Sequence, residues 1–150
     1  MKKTHFNEPS IKELFEAAKK AQKKSYSPYS QCQVGAAIRT TQGKIFSGCN
    51  VENASYGATV CAERVAIQKA VSEMGSIQLK ELMVVTHASP PWPPCGMCRQ
   101  VIAEFGTEIT LYLANLKGEI QTASFKQLFP QAFDPSHLKK PKKSEKNNKK

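Results

Sequence analysis

Three thiols and one carboxylate are the groups in this chain whose types and spacing could do chemistry. Cys61-Ala62-Glu63-Arg64 supplies one thiol and the carboxylate, and Pro94-Cys95-Gly96-Met97-Cys98 supplies the other two thiols. Thiolates are soft ligands that suit zinc, and three protein ligands leave the fourth tetrahedral position open, which distinguishes a catalytic zinc from a structural one. Glu63 then serves as the acid/base rather than as a ligand.

The spacing dictates how secondary structure must hold these groups. At about 100° per residue, Cys61 and Glu63 point to nearly opposite sides of a helix and share no mid-helix face. They converge only in a first turn, where side chains tilt back toward and beyond the N-terminus. The sequence fits a helix starting there, with Thr59 as N-cap, Val65, Ala66, Ile67, Ala70 and Val71 at apolar positions, and Gly75 as the stop. Cys95 and Cys98, three apart, are neighbours on one helix face. That helix is opened by Pro94, continued by Val101, Ile102 and Phe105, and ended by Gly106. Two helix N-termini thus aim at one metal.

The rest of the chain must build a frame for them. Ser10-Ile11-Lys12-Glu13 reads as a capping box opening a first helix that runs to about Lys24, with Ile11, Leu14, Phe15 and Ala18 on its apolar face. Val34 to Thr40 and Lys44 to Cys49 flank a turn at Gly43 and predict a β-hairpin. A polar loop from Asn50 to Ala58 leads into the Cys61 helix. Leu79 to His87 reads as a buried strand, followed by the proline-rich loop Pro90-Pro91-Trp92-Pro93-Pro94. Glu108 to Leu113 and Glu119 to Ala123 predict two more strands, and Ser124 to Leu128 a short helix. This alternation predicts an α/β fold, a three-layer sandwich of a mixed five-stranded sheet with helices on both faces.

Composition bounds the function. At 150 residues and 40% apolar content the chain suits one core. The expected organisation is a catalytic domain over 1–135 and a disordered lysine-rich tail over 136–150. Formal net charge is +10, but the seven lysines and single glutamate between His137 and Lys150 account for +6 of it, which weakens a nucleic-acid reading of the domain itself. The lysines of the first residues are followed by no apolar run of a signal peptide, and no stretch is long enough to span a membrane. An odd number of cysteines without such a signal suits reduced thiols in the cytoplasm.

Laid out this way, the chain resembles the small homotetrameric zinc-dependent cytidine deaminases, from the first helix to Phe133. Carrying the resemblance, in the family's order, are Gln33-Val34-Gly35-Ala36-Ala37, Gly48-Cys49-Asn50-Val51-Glu52-Asn53-Ala54, Cys61-Ala62-Glu63-Arg64, Pro94-Cys95-Gly96-Met97-Cys98-Arg99-Gln100 and Leu128-Phe129-Pro130-Gln131-Ala132-Phe133. A Cys or His two residues before a Glu, with a distant Pro-Cys-x-x-Cys, is the zinc deaminase pattern. The resemblance implies hydrolysis of cytidine and deoxycytidine to the uridines and ammonia, as in pyrimidine salvage, with one zinc per subunit on Cys61, Cys95 and Cys98. It further implies that Glu63 is the acid/base and that Arg64 hydrogen-bonds the ligating sulfurs. Asn50 and Glu52 match residues that hold the ribose, Ala54 and Tyr56 match residues that reach a neighbouring subunit's nucleoside, and Phe133 matches an aromatic that stacks on the base from another subunit. Cys32 stands where the family usually has a pocket-lining Phe.

Other readings account for less. A thioredoxin-like redox pair at Cys95 and Cys98 leaves Cys61 and Glu63 without a role. A structural four-cysteine site would need Cys49 or Cys32, each equally at home as a core or pocket residue. Blasticidin S deaminase shares the three zinc cysteines, and polynucleotide deaminases more often carry His in place of Cys61. A nonenzymatic nucleic-acid module explains the tail, which would bind polyanions weakly, but not the zinc motif.

Overall fold

Strict alternation along the central strands sorts their side chains into two cores. The computed structural model describes residues 2–3 and 8–138. Most of the expected tail, 139–150, lies outside the described residues, as do His5 and its neighbours. The sheet contains β1 (Lys2–Lys3), β2 (Gly35–Thr40), β3 (Ile45–Cys49), β4 (Leu79–Thr86), β5 (Thr110–Asn115) and β6 (Ile120–Ser124), in the order β1-β6-β5-β4-β2-β3. β4 and β5 are parallel and every other pair is antiparallel. The five expected strands are present. The addition is β1, two residues at the edge beside β6, too short to carry any periodicity in sequence.

One face is covered by α1 (Pro9–Gln22), whose Ile11, Leu14 and Ala18 pack on Ala37, Met83, Val85, Tyr112 and Ala114. The other is covered by α2 (Ala62–Met74) and α3 (Gly96–Phe105), whose Ala66, Ile67, Ala70, Ile102 and Ala103 pack on Ile38, Leu82, Val84, Leu111 and Leu113. Neighbouring residues such as Met83 and Val84 thus serve opposite cores, as the two-residue period of a strand requires. The short α4 (Phe125–Leu128) follows β6, with Ser124 and Gln127 forming a reciprocal capping box. A 3-10 turn, Pro135–Leu138, runs across the expected domain boundary.

Helix starts differ from the sequence reading. α1 begins at Pro9 with Glu8 as N-cap, not through the expected Ser10–Glu13 box, because proline at the first helical position is preset for the helix. α2 and α3 are capped by Cys61 and Cys95 themselves, not by Thr59 or Pro94. Gly75 ends α2 at φ 75°, as expected.

The sheet collects the chemistry at one end. Gly35 at the start of β2 lies opposite both Cys49 at the end of β3 and Val85 near the end of β4. The chain leaves β3 toward α2 and β4 toward α3, so both helices begin at this edge. Close packing fixes their depth. A Cβ on Gly48 would lie 2.6 Å from the Ala66 nitrogen and 2.8 Å from the Ala62 oxygen, so only glycine lets the first turn of α2 settle on β3.

Candidate active site

Cys61 and Cys95, extended N-cap residues, and Cys98, within the first turn of α3, converge. Their sulfurs all lie within 4.8 Å of one another, and the Cys61 and Cys95 sulfurs are 3.9 Å apart. Two sulfurs about 2.3 Å from one tetrahedral zinc sit roughly 3.8 Å apart, so the Cys61–Cys95 pair already has the spacing such an ion requires. Cys98 is fully buried, Cys61 half-buried and Cys95 exposed, which leaves the open side of the trio toward solvent.

The protonation pattern also favours a cation. Hydrogen bonding from Cys98, and then from Arg64 and Cys95, overcomes burial and lowers the Cys61 thiol to about 5, while Cys98 is pushed up by that same hydrogen bond and by burial. The trio thus already carries a thiolate at neutral pH. Arg64 donates through Nη2 to the Thr59 carbonyl at 2.8 Å and reaches the Cys61 sulfur at 3.9 Å. Its Nε is buried with no partner among the described residues. Burial works against the guanidinium charge, but hydrogen bonding to Cys61 and the charges of Cys61 and Cys98 outweigh it and raise its pKa.

Glu63 is 4% exposed, in the first turn of α2 beside the sulfurs. Burial, reinforced by the Cys61 thiolate, pushes its carboxyl up to about 7. A dication among the thiols would draw it lower again. Glu63 lines a cleft of about 190 Å³ together with Cys61, Cys95, Cys32, Asn50 and Trp92.

Asn50 is pinned by its own amide. Its Oδ1 accepts from Ser25 Oγ at 2.6 Å and the Val34 N–H at 2.9 Å, and its Nδ2 donates to the Cys32 carbonyl at 2.8 Å. Glu52 does not line this cleft. Its carboxylate accepts from the Ser30 hydroxyl, the largest cause holding it below the usual carboxylate range, and also from the Tyr29 N–H at 2.9 Å and the Ser30 N–H at 3.2 Å. Ala54, Tyr56 and Phe133 are exposed and lie outside it as well, Tyr56 being 74% exposed.

Several residues of the site were not singled out in the sequence. Val34, Val84, Thr86, Pro93 and Trp92 line the cleft. Arg99 donates from Nε to the Pro94 carbonyl at 2.8 Å and from Nη1 to the Leu128 carbonyl at 2.9 Å. Gln100 donates to the Phe133 carbonyl at 2.7 Å. These two tie the segment bearing Phe133 to α3, the helix that carries Cys95 and Cys98 at its start. Their position directly after Cys98 was the available signal.

A soft three-sulfur site with an open face, at the strand ends of a three-layer α/β sandwich and beside a buried carboxylate, defines a zinc hydrolase. Residues 9–114 match the family described as the cytidine and deoxycytidylate deaminase zinc-binding region, and the chain belongs to that family. A cytidine deaminase from Sporosarcina psychrophila is 46% identical over 129 residues, covering 85% of this chain and 94% of the relative. The crystal structure of cytidine deaminase from Burkholderia pseudomallei superposes with a TM-score of 0.77 at 45% identity, covering 81% of this chain and 98% of the other. Cytidine deaminase from Mycobacterium tuberculosis gives 0.69 at 36% identity, with 81% and 95% covered.

Proposed function

We propose that this chain hydrolyses cytidine and deoxycytidine to uridine and deoxyuridine, releasing ammonia, with Cys61, Cys95 and Cys98 holding one zinc and Glu63 handling the protons. The observation that supports this most is the convergence of three sulfurs within 4.8 Å beside a buried carboxyl in one cleft.

When bound, zinc supplies a hydroxide-like nucleophile at neutral pH by acidifying water toward a pKa of about 7. The chain's own residues do the rest. Glu63 accepts a proton from the attacking water and delivers it to the ring nitrogen N3. It then takes the second proton from the hydroxyl now on C4 and passes it to the amine there, so that ammonia leaves as the C4–N bond breaks and C4 keeps the oxygen as a carbonyl. The reaction consumes one water and yields one ammonia with no change of oxidation state. Three thiolates on a dication leave net negative charge, which opposes ionisation of the water. Arg64 and the N-termini of α2 and α3 offset it.

Asn50 has one amide hydrogen left for a ribose hydroxyl once its bonds to Ser25, Val34 and Cys32 are made. Glu52 keeps roughly one of four acceptor sites. The cleft, about 190 Å³, is smaller than the roughly 300–1,000 Å³ that encloses a whole ligand. Ala54, Tyr56 and Phe133, exposed and away from their own cleft, suit the role of walls for a neighbour's nucleoside in a homotetramer. Among the described residues no helix is long and apolar enough to cross a membrane, and five free thiols suit a reducing cytoplasm.

The test is zinc content and deamination of cytidine, deoxycytidine, blasticidin S and a single-stranded oligonucleotide, in wild type and Glu63→Ala. We expect both nucleosides to be the preferred substrates. Glu63→Ala should retain zinc and lose at least about 10² to 10⁴ of the rate. Zinc loss along with activity, or near-normal turnover, would reject the division of roles.

A further inference from the structure

Trp92 is the only tryptophan of the chain and, among the described residues, the only aromatic one lining the cleft. It is 48% exposed, whereas Pro91 before it and Pro94 after it are buried. Prolines at 90, 91, 93 and 94 fix φ on both sides of it. The loop is also tied at each end. Asn115 Nδ2 donates to the Ala88 carbonyl at 3.0 Å, Ser89 Oγ donates to Glu119 Oε1 at 2.7 Å, and Arg99 Nε donates to the Pro94 carbonyl. The result is a half-exposed indole on a stiff arm anchored at both ends.

We infer that Trp92 is a specificity-determining residue, the chain's own aromatic wall for the substrate base. The inference rests on the deaminase reading of the same cleft. For deamination, the ring carbon bearing the amine must sit at the sulfur trio. Three residues of chain span at most about 10–11 Å, so Trp92 cannot lie far from Cys95 and from a ring placed there. Every other described lining residue is aliphatic, polar or a thiol, so among this chain's own described residues the indole alone offers that cleft a flat polarisable face or edge for a flat heterocycle. The stiff loop means that little freedom is lost when the contact forms. The contact is made to the base and not to the sugar, so it selects for a planar heterocycle and is indifferent to the 2′-hydroxyl.

The indole is also its own reporter. In the zinc-loaded enzyme, titration with uridine or deoxyuridine should change the Trp92 fluorescence, saturating at the concentration that half-inhibits cytidine turnover. Loss of an aromatic stacked on a base weakens binding by about 5- to 150-fold. Trp92→Ala should therefore raise KM by that factor, equally for cytidine and deoxycytidine, with kcat changed far less. Trp92→Phe should restore most of the affinity, with zinc content unchanged in both variants. Fluorescence that ignores uridine while uridine inhibits, or a KM unchanged in Trp92→Ala, would overturn the inference and leave the activity standing. A fall in kcat with zinc loss in both variants would make Trp92 a structural residue and equally overturn it. Fluorescence that responds to uridine in a protein that deaminates neither nucleoside would instead overturn the reaction and keep the base contact.

Discussion

Gly48→Ala places one methyl group between β3 and the first turn of α2. The added carbon would lie 2.6 Å from the Ala66 nitrogen and 2.8 Å from both the Ala62 oxygen and Val65 Cβ, and two of these three are helix backbone that no rotamer change can move. Bringing the tightest contact out to 3.4 Å, the onset of ordinary packing, displaces the turn by about 0.8 Å. That turn carries Cys61 and Glu63, while Cys95 and Cys98 ride on α3 and stay behind. Overpacking of this kind costs about 1–3 kcal/mol, which for a chain of this length lowers Tm by roughly 2–12 °C. The catalytic effect should be larger, since a misplacement near 1 Å can cost about 10²-fold. Thermal melting, zinc content and kcat on cytidine measure the three effects. Gly57→Ala is the control, because no described residue lies within 4 Å of a Cβ there and its φ lies outside the left-handed region. Wild-type zinc content and kcat in Gly48→Ala would refute the claim that this glycine sets the depth of the site.

Arg64→Ala should lower activity by about 10- to 100-fold, as loss of a group supporting metal ligands commonly does, with Arg64→Gln intermediate; equal rates in all three proteins would reject charge compensation. After chelation of zinc, Cys61 should be alkylated by iodoacetamide at pH 7, because its thiol is lowered to about 5 and is therefore ionised there. The labelling rate should fall as pH drops through about 5, and zinc should protect, with the modified peptide identified by mass spectrometry. A protein ending at Pro135 should keep zinc and cytidine turnover but lose retention on a polyanion resin at low salt, since the seven lysines beyond it are gone. Loss of turnover would assign the tail to the active site.

The chemistry was the most legible part of the sequence because it depends on residue type. Candidate sulfur ligands three apart, and a carboxylate two residues from a third, restrict the elements to helix starts, and all four residues sit at the starts of α2 and α3. The hairpin and the Gly75 stop were equally readable, since turn residues act locally. Caps were not. Thr59 and Pro94 are ordinary starting residues, yet the two cysteines take the cap positions, where thiols have no intrinsic preference and make no side-chain cap bond, so nothing local in the sequence marks the boundary. Trp92 was missed because the path of an irregular loop has no period. Glu52 satisfies the backbone of Tyr29 and Ser30, more than 20 residues away, a pairing that only the folded chain creates.

The position of β4 has a consequence for assembly. This strand lies between β2 and β5 in the sheet, and it is also part of the connection that separates Cys61 from Cys95 by 34 residues. Until β4 is inserted, the chain offers a metal only the local pair Cys95 and Cys98, with Cys61 on a distant arm. Joining that arm costs roughly 3 kcal/mol of loop entropy, a cost the finished sheet has already met. If all three thiols hold the ion, high-affinity capture of zinc should follow completion of the sheet. An ion held by all three thiols would fasten the first half of the molecule to the second, so that chelation should first loosen the seam between α2 and α3 and leave the α1 face intact.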